Sequence, residues 1–318
     1  MEKSNAGPAR SFGQIVIVGA GAMGCYFAGR IAEAQAGDVV LVEADPERVA
    51  AINREGVRLI DRDGTRAIAV HALTPAALSG EAALLLCFTK AVHTHAALKG
   101  VAHVIGAQSW VMTLQNGLGN VENIAQVVDL SRILAGVTDV PADFTPPATV
   151  HSPGSGAIRF WHAADGDGEM PRIVEALFRA AGFAATADRQ AKLAIWEKLV
   201  FNAALNATTA TLRQPVGSMD NEDGRALIAM IVGEAVAVAG AAGVAVDRKR
   251  IDAMIDNALA THRDHQPSML QDVLAGRETE IDSINGAITV IGTQLGVRTP
   301  VNTALTRLVK LQRQAGPH

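Results

Sequence analysis

An α/β chain, with an N-terminal doubly wound sheet followed by an all-helical region, is the fold class that three observations predict. Short β-rich runs alternate with helical runs through the first half. A glycine-rich turn falls between the first of those strands and the first helix. From Arg189 to the end the periodicity is helical, with no convincing strand. A length of 318 residues exceeds what one core usually holds, so two domains are expected, 13–188 and 189–318.

The elements follow in order. Gln14–Val18 reads as a strand, Met23–Ala36 as a helix, Val39–Val42 as a second strand and Pro46–Glu55 as a helix. Val57–Val70 has the pattern of a hairpin turning at Asp61-Arg-Asp-Gly64. Ala83–Phe88 and Trp110–Leu114 are continuous apolar runs, as expected of parallel strands covered on both faces. Beyond Pro141 come Pro- and Gly-rich strands through Val150 and Ala157–Phe160, then a helix over Pro171–Ala181 and a last strand at Phe183–Thr186.

Composition narrows the function classes. Apolar residues make up 49% and charged residues 19%, which describes an ordered globule. A net charge of −4 gives no electrostatic reason to bind nucleic acid or an acidic membrane. Cys25 and Cys87 lie in apolar runs without metal-ligand spacing, so they read as reduced packing residues and no metal site is expected. Met1–Phe12 is polar and lacks the apolar core of a signal peptide, so a cytoplasmic location is expected. Ala226–Val246 carries only Glu234 as a charge across 21 residues; its three glycines and many alanines favour a buried or interfacial helix over a membrane span, and a homodimer contact there is open.

Gly19-Ala20-Gly21-Ala22-Met23-Gly24 is a GxGxxG between a strand and a helix, and Glu43 ends the second strand 19 residues after Gly24. That context reads as a dinucleotide site: Gly19 makes the tight turn, Gly21 admits a pyrophosphate, and Gly24 lets helix and strand pack closely. A carboxylate at Glu43 accepts hydrogen bonds from free ribose hydroxyls and repels a 2′-phosphate, which favours NAD(H). Arg48, on the following helix, and Lys90 are the bases that could still reach a phosphate. Asp45 also fits as the cap of that helix. Phe88-Thr-Lys90-Ala and Leu114-Gln-Asn116-Gly follow parallel strands, so Lys90 and Asn116 lie at the carboxyl edge where ligands bind.

In the helical half, Lys198, Asn202 and Asn206 stand four residues apart among Ile195, Leu199, Val200, Phe201 and Leu205. They share one stripe of a helix whose other faces are apolar. Sinking an ammonium and two amides there costs several kcal/mol unless they meet partners. The stripe therefore reads as a polar cleft with a lysine proton donor, or else as a snorkelling lysine and two asparagines that satisfy backbone groups.

Together these residues resemble the ketopantoate reductase family. The resemblance rests on Gly19-x-Gly-x-x-Gly24, Thr89-Lys-Ala, Gln115-Asn-Gly, Trp196-x-Lys198-Leu-x-x-Asn202-x-x-x-Asn206, Ser268-Met-Leu-Gln-Asp272 and Glu280-Ile-Asp-x-x-Asn-Gly286, from Ile15 to about Asn302. It implies a Rossmann-type domain joined to an all-helical one and reduction of 2-dehydropantoate to D-pantoate, a step of pantothenate biosynthesis, usually with NADPH. It also implies roles: Lys198 gives the proton to the ketone oxygen, Glu280 binds substrate and orients the lysine, Asn202 and Asn206 hold the substrate, and Ser268 binds its carboxylate. Lys90 and Asn116 match cofactor-cleft residues. Ser268 with Gln271, and Thr279 with Asp282, fit helix capping boxes as well.

Three positions depart from the family pattern. His265 stands where an asparagine is frequent, Val216 replaces a further asparagine, and Glu43 occupies a place that is basic or neutral in NADPH-using members. His265 and Val216 put the identity of the small 2-oxo acid substrate in doubt. An NAD-dependent D-2-hydroxy acid dehydrogenase on the same scaffold is the alternative, and a catalytically silent dinucleotide sensor is the non-enzyme alternative.

Overall fold

The computed structural model describes residues 13–164 and 166–314, apart from the side chains of 313 and 314. The chain groups into two compact units: one runs to Gln115 and resumes over Val121–Ala191, and the other comprises Asn116–Asn120 and Lys192 onward.

The first unit holds strands β1 (Gln14–Val18), β2 (Asp38–Val42), β3 (Val57–Asp61), β4 (Gly64–Ile68), β5 (His71–Leu73), β6 (Ala82–Cys87), β7 (Trp110–Thr113), β8 (Ile133–Thr138), β9 (Asp143–Thr145), β10 (Thr149–His151), β11 (Ala157–His162) and β12 (Ala184–Ala187). Its helices are α1 (Ala22–Glu33), α2 (Pro46–Glu55), α3 (Thr94–Gly100), α4 (Asn120–Ile124, entered from the neighbouring segment) and α5 (Glu169–Ala180). An eight-stranded sheet runs β12-β11-β8-β7-β6-β1-β2-β5, parallel except where β11 meets β8. The chain leaves β1 for β2 on one side and returns to β6 on the other, so the switch point of the winding lies beside β1. Ligands of such sheets bind outside the carboxyl ends of the strands at that point.

Strand alternation builds two cores. Ile15 and Ile17 of β1, with Leu84 and Leu86 of β6, face Phe27 of α1 and Phe178 of α5. Val16 and Val18, with Leu85 and Cys87, join Leu98 of α3 and Ile124 of α4 in the other. Successive strand residues point to opposite faces, so an unbroken apolar run signals a strand covered twice. Phe27 stacks on Phe183, ring centroids 4.3 Å apart, and meets Phe178 edge-on at 5.4 Å. A small second sheet, β4-β3-β10-β9, contains the expected hairpin with Asp61 opposite Gly64. Buried Asp61 accepts from Arg66 Nη1 at 2.7 Å and pairs with Arg30 at 3.4 Å, and Arg66 also pairs with Glu33. β5 and β8 lie outside the strands read from the sequence. β8 contains Gly136, whose missing side chain leaves room for Phe160 on β11.

The second unit is helical, with α6 (Ala191–Leu212, its first residue grouped with the sheet), α7 (Glu222–Ala241), α8 (Arg248–Thr261), α9 (Ser268–Leu274), α10 (Asn285–Gln294) and α11 (Pro300–Gln314) around one apolar cluster. Among the described residues α7 is the helix long and apolar enough to cross a membrane by length and composition. Its Glu234 has internal partners: the carboxylate accepts the backbone N–H of Val301 at 2.8 Å and of Asn302 at 2.9 Å, capping α11. Asn302 in turn accepts from buried Asn285, which also donates to the Ala203 carbonyl within α6, both at 3.0 Å.

Two expectations are corrected. Ser268 is not a capping residue: Pro267 is the N-cap of α9 and no side chain bonds there, while the Gln271 amide donates to the Gln266 carbonyl at 2.9 Å. Thr279 caps nothing either, because residues 281–284 form turns and α10 starts only at Asn285. The division of the units also falls a little later than 188. Asp188 N–H bonds to Phe160 O at 2.9 Å, and its own carbonyl receives Ala191 N–H, so the sheet holds the chain until α6 begins.

Candidate active site

The glycine turn sits where the winding switches. Gly19 takes φ +104°, and its N–H donates to Val42 O at 3.0 Å, which ties the turn to the end of β2. Ala20 is buried, and its carbonyl accepts the Cys25 thiol at 3.3 Å. Burial pushes that thiol up to about 12, partly offset by Arg48, so Cys25 stays protonated and able to donate. Gly21 is the N-cap of α1, and a Cβ there would meet nothing within 4 Å; the start of a helix is where backbone N–H groups receive a phosphate. Ala22 and Met23 form the first turn of α1 and are half-buried. Gly24 is buried, and any Cβ there would collide with the Gly19 carbonyl.

Glu43 lies half-buried just past β2. Its carboxylate accepts from Arg48 Nη1 at 2.5 Å and from the Asp45 N–H at 3.1 Å. Asp45 does cap α2, accepting from Glu47 N–H at 2.9 Å. Lys90 is half-buried past β6, at the start of a 3-10 turn. The neighbouring strand-end loops are joined by Gln115, whose amide donates to Thr89 O at 2.5 Å and to Thr94 Oγ1 at 2.8 Å. The sequence offered Gln115 only as part of a motif; a half-buried tie between loops leaves no local periodic mark.

In the helical unit, α6 carries Lys198, Asn202 and Asn206 on one stripe. Lys198 is half-buried, and the two asparagines are 8% and 5% exposed. Among the described residues no hydrogen bond engages either asparagine side chain, which contradicts the reading that they satisfy backbone groups.

The structure joins Asn116 to Glu280. The Asn116 amide donates to Glu280 Oε2 at 3.2 Å, and Leu118 N–H donates to Ser283 O at 2.8 Å. Between them Gly117 has φ +82°, and a Cβ there would strike the Ser283 backbone. Asn116, expected among the cofactor-cleft residues, thus also bonds to the second catalytic candidate.

His265 and Ser268 are both exposed, Ser268 as the first residue of α9. Two of the three departures from the family pattern meet: Val216, which is buried, donates its N–H to the His265 carbonyl at 3.1 Å.

Comparison with known proteins agrees with this arrangement. Residues 15–164 match the family described as "Ketopantoate reductase PanE/ApbA" and residues 190–313 the one described as its C-terminal part. The 2-dehydropantoate 2-reductase of Streptococcus pyogenes serotype M1 is 32% identical over 297 residues, 93% of this chain and 96% of that protein. Among solved structures, a PanE/ApbA family ketopantoate reductase from Ralstonia eutropha JMP134 is 30% identical, with a TM-score of 0.87 over 96% of this chain and 100% of that one. A D-mandelate dehydrogenase solved with NADH and anilino(oxo)acetate is 26% identical, with a TM-score of 0.90 over 95% of this chain and 99% of that one. The glycine turn beside β1, the polar row on α6 and these matches lead to one conclusion: the chain belongs to the ketopantoate reductase family and is an oxidoreductase that uses a nicotinamide dinucleotide on a keto or hydroxyl group.

Proposed function

We propose that the protein reduces the 2-keto group of 2-dehydropantoate to D-pantoate, with Lys198 as the general acid. The observation that carries this reading is the α6 row, a half-buried ammonium in line with two nearly buried amides that lack protein partners. The bound dinucleotide supplies the hydride. Lys198 Nζ delivers the proton that the ketone oxygen needs as it becomes an alkoxide, and the positive charge stabilises that oxygen beforehand. Asn202 and Asn206 offer amide donors and acceptors to the substrate's oxygens. Glu280, held by Asn116, keeps a carboxylate beside the substrate, and Ser268 offers a hydroxyl to the substrate carboxylate. The residues that would hold the dinucleotide are Gly19–Gly24 and Glu43, with Lys90 at the same edge. Of the two cofactors, the acceptor chemistry of Glu43 favours NADH.

One observation supports a second reading, a D-2-hydroxy acid dehydrogenase acting on a bulkier 2-oxo acid. The D-mandelate dehydrogenase is as good a structural match as the reductases, and the bonded Val216–His265 pair stands where the family has asparagines. Assaying the purified protein with ketopantoate, pyruvate and phenylpyruvate, each with NADH and NADPH, separates the readings. A kcat/KM highest for ketopantoate supports the first, one highest for phenylpyruvate the second, and no turnover with any of them removes both. Lys198→Ala is expected to lower kcat by about 100-fold while the cofactor Kd stays unchanged; unaltered kcat would refute the acid assignment.

A further inference from the structure

The guanidinium of Arg48 on α2 is almost fully engaged inside the protein. Nη1 donates to Glu43 Oε2 at 2.5 Å, Nη2 to the carbonyls of Ala20 at 2.5 Å and Pro147 at 3.1 Å, and Nε to Pro147 O at 3.4 Å. The group also lies over the Phe144 ring, 5.3 Å from its centroid. A guanidinium has about five N–H donors, and these contacts take four of them. Arginine recognises a phosphate through a fork of two parallel N–H groups. No such fork is open here unless one of these bonds breaks.

Glu43 shows the complementary count. Oε2 accepts from Arg48 and Oε1 from the Asp45 N–H. A carboxylate has about four lone-pair positions, so two acceptor positions are left. Two acceptors suit the two hydroxyls of a free ribose diol and give a 2′-phosphate no donor. Arg48 largely cancels the Glu43 charge, so hydrogen-bond matching, more than repulsion, decides the choice.

We propose that Arg48 is a positioning residue for cofactor choice. It fixes Glu43 as the acceptor for the adenosine ribose diol and pins the glycine turn, at Ala20, to the β9–β10 hairpin, at Pro147, so that NADH is preferred to NADPH. The proposal rests on the reading of Gly19–Gly24 and Glu43 as the dinucleotide site.

Calorimetric titration of wild type, Arg48→Met and Arg48→Lys with NADH and with NADPH tests it, thermal melting serving as the check of folding. Wild type is expected to bind NADH at least about 10-fold tighter. Arg48→Met should weaken NADH by about 10-fold or more and NADPH by less than about 3-fold, the size expected for loss of one charged hydrogen bond. Arg48→Lys keeps the charge without the planar fork and should show the same loss in smaller measure, which preserves the test if the methionine variant does not fold. Equal weakening of both cofactors would make Arg48 a general brace and overturn the proposal. Selective loss of NADPH would make it a phosphate ligand and overturn it too. Wild type that prefers NADPH would instead overturn the diol reading of Glu43, and that is visible before any variant is compared.

Discussion

Asn116 and Glu280 are 164 positions apart, yet their side chains share a hydrogen bond. The Asn116 amide, by donating to Oε2, fixes the orientation of the Glu280 carboxylate. Glu280→Gln keeps an oxygen for Asn116 and removes the charge. Turnover is expected to fall by about 10-fold with the cofactor Kd unchanged, measured by steady-state kinetics and direct titration. A cofactor Kd that moves as much as kcat would place Glu280 with the dinucleotide instead. Lys198, Asn202 and Asn206 were legible in the sequence because their relation is local, three steps of one helical stripe. The Asn116–Glu280 bond was not, because nothing near either residue in the chain encodes its partner. Arg48 is intermediate: its charge near Glu43 was evident, whereas its bonds to Ala20 and Pro147 depend on where a distant hairpin folds.

Strands in the middle of the sheet were the easiest elements to read, since β1, β6 and β7 are unbroken apolar runs. β8 is not legible because Gly136 weakens the strand pattern, and the close approach of Arg159 and Phe160 on the neighbouring strand and of Leu114 explains that glycine. Helix starts were less legible, for a physical reason. A serine or threonine three residues before an acid or amide satisfies the capping pattern anywhere, and α9 and α10 begin with Pro267 and Ile284 as N-caps. The short segment after β7 gives a sharper test. Gly117→Ala must adopt φ near +82° and place a methyl against the Ser283 backbone. A loss of about 2 kcal/mol or more is expected in chemical unfolding, with activity falling further than stability accounts for. Wild-type stability in this variant would mean that the contact with Ser283 is dispensable.

At the scale of the molecule, Asp61 in the first unit, whose side chain is 1% exposed, is expected to contribute to resistance to acid. The hydrogen bond from Arg66 holds both Asp61 and Glu33 below their ordinary values, and Arg30 adds to the pull. A carboxylate with a depressed folded pKa contributes stability above its unfolded value and loses it as pH falls through the folded value. Asp61→Asn is therefore expected to cost about 3 kcal/mol at neutral pH, and progressively less below about pH 4. Urea titrations at pH 7 and pH 3 read the difference; an equal cost at both would show that packing, not charge, is what Asp61 provides. The order in which the chain visits its two units has another outcome. It passes from the sheet to five residues, Asn116–Asn120, that count with the helices, then goes back to the sheet before leaving it after Ala191. A gene bisected at that last exit would not release two complete halves. The later product would start life missing an inner thread, with the Ser283 oxygen deprived of Leu118 and the Glu280 carboxylate deprived of Asn116. Shuffling either half into another protein would have to carry that thread along.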